Sequence, residues 1–124
     1  MPAALGAWAL VAGHAAARGA SVVTMRALYY VGAAETAKWK PAPADLTPVE
    51  VAVALLIAAA PLDFGTWGAV VGALALGGLF AGVMALTARR LLGGYTGDVL
   101  GAVEQVFELG FMLGVAASVA VAIR

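Results

Sequence analysis

The groups able to do chemistry gather in one stretch of an otherwise apolar chain: Asp98, Glu104, Gln105 and Glu108, preceded by Gly93, Gly94, Thr96 and Gly97. Carboxylates can ligate a hard cation or move a proton, and glycine-rich backbone ahead of a helix can turn its N–H groups toward an anion. On an ideal helix, Gly101, Ala102, Gln105 and Glu108 lie at about −60°, +40°, −20° and −80° from Asp98, so they share one face with it. That small, polar face reads as the lining of a cavity, with Val99, Val103, Phe107 and Leu109 on the rest of the circumference. Asp98 would repel a bare phosphate unless Mg²⁺ lay between them. A tight interhelical turn would use the same glycines as an anion cradle, and both readings stand.

A second set lies near the start of the chain, where His14 and Arg18 are four residues apart on one helical face, with Ser21 and Met25 continuing it. Arg18 could grip a phosphate or carboxylate bidentately, or pair with Glu104 or Glu108 across a helix contact. His14 reads as structural, because no second histidine or cysteine is present to complete a metal site. Glu104 points either into protein or toward the surface, with Arg89 or Arg90 as partner. Asp63-Phe64-Gly65 copies a kinase metal motif, but nothing else of that fold accompanies it.

The elements that must position these groups are membrane helices. Hydrophobic residues make up 64% of the chain and charged ones 11%, and the mean hydropathy is +0.99, beyond the range of ordinary soluble domains. Seven basic and seven acidic residues leave no net charge, which argues against a nucleic-acid partner. The absence of cysteine excludes disulfides and thiolate metal sites. No cleavable leader is evident, and the apolar stretch that begins directly after Pro2 suggests the later part of something longer.

Pro, Gly and charge divide the chain into about four transmembrane segments, an all-α polytopic membrane domain over residues 1–124. The first, Ala3 to Val31, would be about 43 Å long, so it must tilt, project, or break near Gly13 or Gly19. The second, Leu46 to Leu62, opens with a capped Thr47-Pro48-Val49-Glu50 and barely spans. The third runs from Thr66 to Ala88 and stops at Arg89-Arg90. The fourth is expected to start with Asp98 as its N-cap and to continue to Ile123. Gly68, Gly72, Gly78 and Gly82 are expected to pack helices closely. Lys38, Lys40, Arg89 and Arg90 fall in loops on one side, with Asp63 opposite, which places the Gly93–Asp98 loop in the cytoplasm. Tyr29, Tyr30 and Trp39 fit the cytoplasmic interface and Trp67 the far one.

The run from Arg89 to Ala102, with Gly-Gly-Tyr-Thr-Gly-Asp at residues 93–98, followed by Gln105 and Glu108, resembles the C-terminal signature of the cobalamin 5′-phosphate synthase family, also called adenosylcobinamide-GDP ribazoletransferase. Weaker similarity covers His14 to Tyr30 and the loop up to Lys38. The resemblance implies a multi-pass enzyme of the bacterial inner membrane that joins adenosylcobinamide-GDP to α-ribazole or its phosphate, releases GMP and uses Mg²⁺. It makes Asp98 a candidate catalytic residue and metal ligand, and Glu108 the group that orients or deprotonates the nucleophile. Gly93, Gly94, Thr96, Gly97, Gln105 and Arg18 become candidate substrate-binding residues. Family members are about twice as long and carry an aspartate-rich motif in their N-terminal half, whereas Asp45, Asp63 and Asp98 are scattered here. Activity is therefore expected to require a separate N-terminal half, or self-association, supplying that motif. The alternative from another class is a small four-helix transporter. Carriers of that type have an acid in the first helix, where this chain has His14, Arg18 and Arg26.

Overall fold

The structure, a computed structural model, describes residues 2–32 and 46–124. Lys38, Trp39, Lys40 and Asp45 lie outside the described residues. Among the described residues four α-helices follow in order: α1 (Ala3–Ala27), α2 (Pro48–Ala59), α3 (Trp67–Leu92) and α4 (Gly97–Ala122), with a 3-10 turn over Ala60–Phe64 after α2. The expected all-α architecture is found.

Local chemistry sets most of the boundaries. Thr47 and Glu50 form a reciprocal capping box: the Glu50 N–H donates to Thr47 Oγ1 at 3.2 Å and the Thr47 hydroxyl donates to Glu50 Oε1 at 2.9 Å, with Pro48 at the first helical position. Thr66 caps α3, and Gly93 ends it in the left-handed conformation at φ 82° with its N–H on the Arg89 carbonyl. Arg89 and Arg90 do not lie beyond α3 but in its last turn, where positive charge complements the helix dipole. Thr96, not Asp98, caps α4: its Oγ1 accepts from the Val99 N–H at 3.2 Å, and Asp98 sits inside the first turn. The Thr96 hydroxyl takes the capping role expected of Asp98, two residues earlier and on the Val99 N–H.

α1 is continuous through Gly13 and Gly19. Those glycines serve packing instead, since a Cβ on Gly13 would sit 3.1 Å from the Phe111 ring and one on Gly19 would sit 3.0 Å from Ala58. The helix ends at Ala27, and Tyr29 to Val31 run extended beside the α3–α4 turn, with the Tyr95 N–H donating to Tyr29 at 2.8 Å and the Val31 N–H donating to Tyr95 at 2.9 Å. The rings of Tyr30 and Tyr95 meet at 5.6 Å.

α3 and α4 form the closest antiparallel contact. Gly72 approaches Gly114 and Gly77 approaches Gly110 nearly backbone to backbone, with the Phe107 ring over Gly77. Without a hydrophobic drive between helices in lipid, such close approach is where dispersion accumulates. Of the four glycines read as packing residues, only Gly72 touches α4; Gly68, Gly78 and Gly82 have open space where a Cβ would stand. Phe111, Val103 and Val115 are fully buried between α4 and its neighbours. At the far end the Trp8 indole N–H donates to the Pro61 carbonyl at 2.8 Å, tying α1 to the 3-10 turn.

α3 and α4 are long and apolar enough to cross a membrane. α1 has the length, about 37 Å, but its middle is interrupted by His14 and Arg18, and α2 alone reaches about 18 Å against a ~30 Å core. Leu10, Val11, Leu56, Ile57, Leu79 and Val121 remain exposed, as lipid-facing side chains do.

Two stability outcomes follow, both read by denaturant titration of the detergent-solubilised chain. Gly114→Leu drives a side chain into the Gly72 backbone and lowers stability by at least the ~1–3 kcal/mol typical of overpacking, whereas Gly101→Ala, in open space, leaves it unchanged or up to about 1 kcal/mol higher. Thr96→Ala removes the α4 cap and costs about 1 kcal/mol, with Thr96→Ser close to native.

Candidate functional site

The polar groups of α1 and α4 meet as a two-rung ladder. His14 Nδ1 lies 2.9 Å from Glu108 Oε1, and one turn along, Arg18 Nη1 lies 3.5 Å from Glu104 Oε1. The Ser21 hydroxyl donates to the same Glu104 oxygen at 2.8 Å. Because both helices repeat every 3.6 residues, a base pair spaced i, i+4 on one faces an acid pair spaced i, i+4 on the other when they run antiparallel. His14/Arg18 against Glu108/Glu104 is that arrangement. Among the described residues these are the two ion pairs, and no buried side-chain nitrogen or oxygen lacks a partner.

The ladder has an inner and an outer edge. Ser21 is buried and the Glu104 side chain is 19% exposed; the outer groups, His14 and Arg18, are 61% and 64% exposed, with Glu108 at 33%. His14 lies midway along α1 and Glu108 midway along α4. In a bilayer that depth is hydrocarbon, where an exposed charge costs about 2.5–3.5 kcal/mol. Where α1 lies beside α4 within a membrane, this face therefore looks onto protein or a polar cavity rather than onto lipid.

The expected site residues divide by depth. Arg18 and Glu108 join the ladder. Gly93, Gly94, Thr96, Gly97 and Asp98 form the turn at the end of α3 and the start of α4, and Gln105 stands exposed between the two levels. Asp98 and Glu108 share a helix and stand ten residues apart, about 15 Å along its axis. The side chain of Asp98 is exposed and makes no ion pair.

The turn explains part of its own glycine content. Gly93 needs its left-handed φ of 82°, and Gly94 lies so close to the Tyr29 carbonyl that no side chain fits. The N–H groups of Tyr95 and Val99 are already engaged, which leaves the first-turn donors at Gly97 and Asp98 for an outside acceptor. The sequence leaves Arg18 a choice between phosphate and Glu104 or Glu108; its contact is Glu104, at 3.5 Å. Glu104 pairs with neither Arg89 nor Arg90. His14, read as structural, faces Glu108, and Ser21 joins Glu104; the signal was the matched i, i+4 spacing in both helices.

No three carboxylates or imidazoles come together as a metal set among the described residues. Glu104 and Glu108 are engaged by Arg18 and His14, while the exposed Asp98 carboxylate is open to a hard cation. A separate apolar groove of 570 Å³ runs between α1, α2 and α3, lined by Gly19, Ala20, Leu55, Gly78, Gly82 and, at its end, Arg89.

Residues 1–116 match the family model described as cobalamin-5-phosphate synthase. The adenosylcobinamide-GDP ribazoletransferase of Leptothrix cholodnii is 42% identical over 112 residues, which cover 86% of this chain and 42% of that protein. Its counterpart in Mesorhizobium japonicum is 37% identical over 108 residues, covering 86% and 40%, and that of a Polaromonas species is 32% identical over 126 residues, covering 89% and 40%. The chain thus spans about two fifths of the length of these relatives. No solved structure matches it. By the extent of the family match and by these identities, the chain belongs to the cobalamin-5-phosphate synthase family.

Proposed function

We propose that this chain forms one part of an adenosylcobinamide-GDP ribazoletransferase, in which a hydroxyl of α-ribazole attacks the phosphorus attached to cobinamide and GMP leaves. The observation that carries this reading is the polar α1–α4 face. A family member that exposes an imidazole and a guanidinium at mid-helix, 61% and 64% exposed, has half of a polar cavity. The other half would come from the three fifths of the family's length that this chain does not span, bringing the acidic motif with it.

In this arrangement the two levels serve two parts of one long substrate. Arg18, holding Glu104 at only 3.5 Å, has guanidinium N–H groups to spare for phosphate oxygens. Glu108, at the level of His14, serves the nucleophile. Near the membrane surface, Thr96, Gly97 and the first-turn N–H groups of α4 would hold an anionic group, with Gln105 between the levels. If Mg²⁺ takes part, as in the family resemblance, Asp98 would ligate it together with carboxylates of the acidic motif that the other portion supplies. A metal so held would neutralise charge on the departing nucleotide.

Four passes of the bacterial inner membrane complete the proposal: α1 crosses with its polar face inward, and α2 crosses together with its 3-10 continuation. Arg26, Arg89 and Arg90 lie at the same end as the Gly93–Asp98 turn and Asp63 at the other, which supports a cytoplasmic turn. The transporter alternative lacks comparable support, since the charged residues of α1 are Arg18 and Arg26.

The test is rescue of a strain unable to make cobalamin. This chain, co-expressed with the portion of the Leptothrix cholodnii relative that it does not span, should restore transfer of the phosphocobinamide group, and neither part should do so alone. Within that pair, Asp98→Ala and Glu108→Gln should each lower the rate at least tenfold at unchanged protein level. Full activity in both variants would remove the assignment, and substrate efflux by this chain alone would replace it with a carrier.

A further inference from the structure

His14 is the single histidine of the chain, and its position differs from that of a buried structural residue. The lower rung of the ladder is the structural one: Glu104 is largely covered, and both Ser21 and Arg18 hold it. The upper rung is open. An ionised carboxylate only accepts, so with Glu108 in that form the 2.9 Å contact has His14 Nδ1–H donating to Glu108 Oε1. That bond orients the ring and puts the remaining lone pair on Nε2, at the opposite edge. The side chain is 61% exposed on a face that cannot look onto lipid, so Nε2 is presented to the polar space described above.

The charged neighbours are accounted for from every side. Glu108 faces His14 from α4; Arg18 lies one turn along α1 and is drawn to Glu104. The charged groups of the other elements stand at helix ends: Glu50 in the first turn of α2, Asp63 in the 3-10 turn, Arg89 and Arg90 in the last turn of α3. No Lys or Arg side chain pairs with Glu108 among the described residues.

We propose that His14 and Glu108 form a catalytic dyad in which Nε2 is the proton acceptor. As the acceptor hydroxyl oxygen bonds to phosphorus, its proton passes to Nε2, and the phosphorus–oxygen bond to the nucleotide breaks with its electron pair leaving on the nucleotide. His14 is the catalytic residue; Glu108 is a positioning residue that holds the ring and stabilises the imidazolium. The proton is returned to water before the next turnover. This assignment rests on the transferase reading above.

Two measurements test it. The first needs only this chain, labelled with ¹⁵N-histidine in lipid nanodiscs at pH 8, where an ordinary imidazole is neutral. The lone histidine signal should show a protonated Nδ1 and an unprotonated Nε2, and Glu108→Ala should restore the Nε2–H form that free imidazole side chains favour. An Nε2–H form in the native chain, or a spectrum unmoved by Glu108→Ala, overturns the dyad. The second uses the complemented pair. His14→Ala should lower kcat by about 10²-fold or more with KM changed less than about threefold, and added imidazole should recover part of the rate, which a merely structural histidine would not allow. A kcat within threefold of native, or a loss that imidazole does not relieve, overturns the proton-acceptor role. Absence of transfer by the native pair sinks the transferase reading itself, while the nitrogen spectrum still decides the dyad.

Discussion

Charge has no solvent in the middle of a bilayer except the protein, and the α1–α4 contact is built around that constraint. Burying Glu104 is tolerable because Ser21 and Arg18 both reach it; burying it alone would cost several kcal/mol. Arg18 reaches Glu104 with one guanidinium nitrogen while most of its side chain stays exposed. Once this ladder is fixed, much else follows. α1 must present Ala9, Ala12, Ala16 and Ala17 to the core, and Phe111 must enter the space left by Gly13.

The second constraint is steric. α3 and α4 come close enough to leave no room for side chains at Gly110 and Gly114 and little at Gly72 and Gly77, so their contact is set by backbone shape. α1 does not join α3 in the same way. It leans on α4 and α2, and the space between α1, α2 and α3 stays open as the groove that receives Gly78 and Gly82. Small residues in a membrane helix thus have two uses here, contact on one side and clearance on the other, and their spacing alone does not distinguish them.

Much of the fold was legible in the sequence because its signals are local. The Thr47–Glu50 box, the basic end of α3 and the length of α3 and α4 depend on neighbours within a turn or two. The rest is non-local or competitive. α1 runs through Gly13 and Gly19 because Phe111 and Ala58 fill the space beside them, a tertiary effect. Thr96 displaced Asp98 as the cap because both types cap well and only the backbone decides which residue leaves the helix. At the site, the shared face of Asp98 and Glu108 was read in projection. The angle was sound, but the axial distance separates the two. The pairing of His14 with Glu108 was available from matched spacings in two helices, yet only once their antiparallel contact was known.

The short pairing between Tyr29–Val31 and Tyr95 has a bearing on all of this. The ladder alone fixes the lateral contact of α1 and α4, and a helix can ratchet by one turn, about 5.4 Å, if its side chains find equivalent partners. Shifted that far in one direction, Arg18 would meet Glu108, but His14 would come opposite Met112 and Glu104 opposite Val22. The extended rung adds two backbone hydrogen bonds that such a slide would also break. α1 and α4 are therefore keyed to each other like a lock with two wards, one of charge and one of backbone. Whatever assembles on their open face meets a surface with a single register.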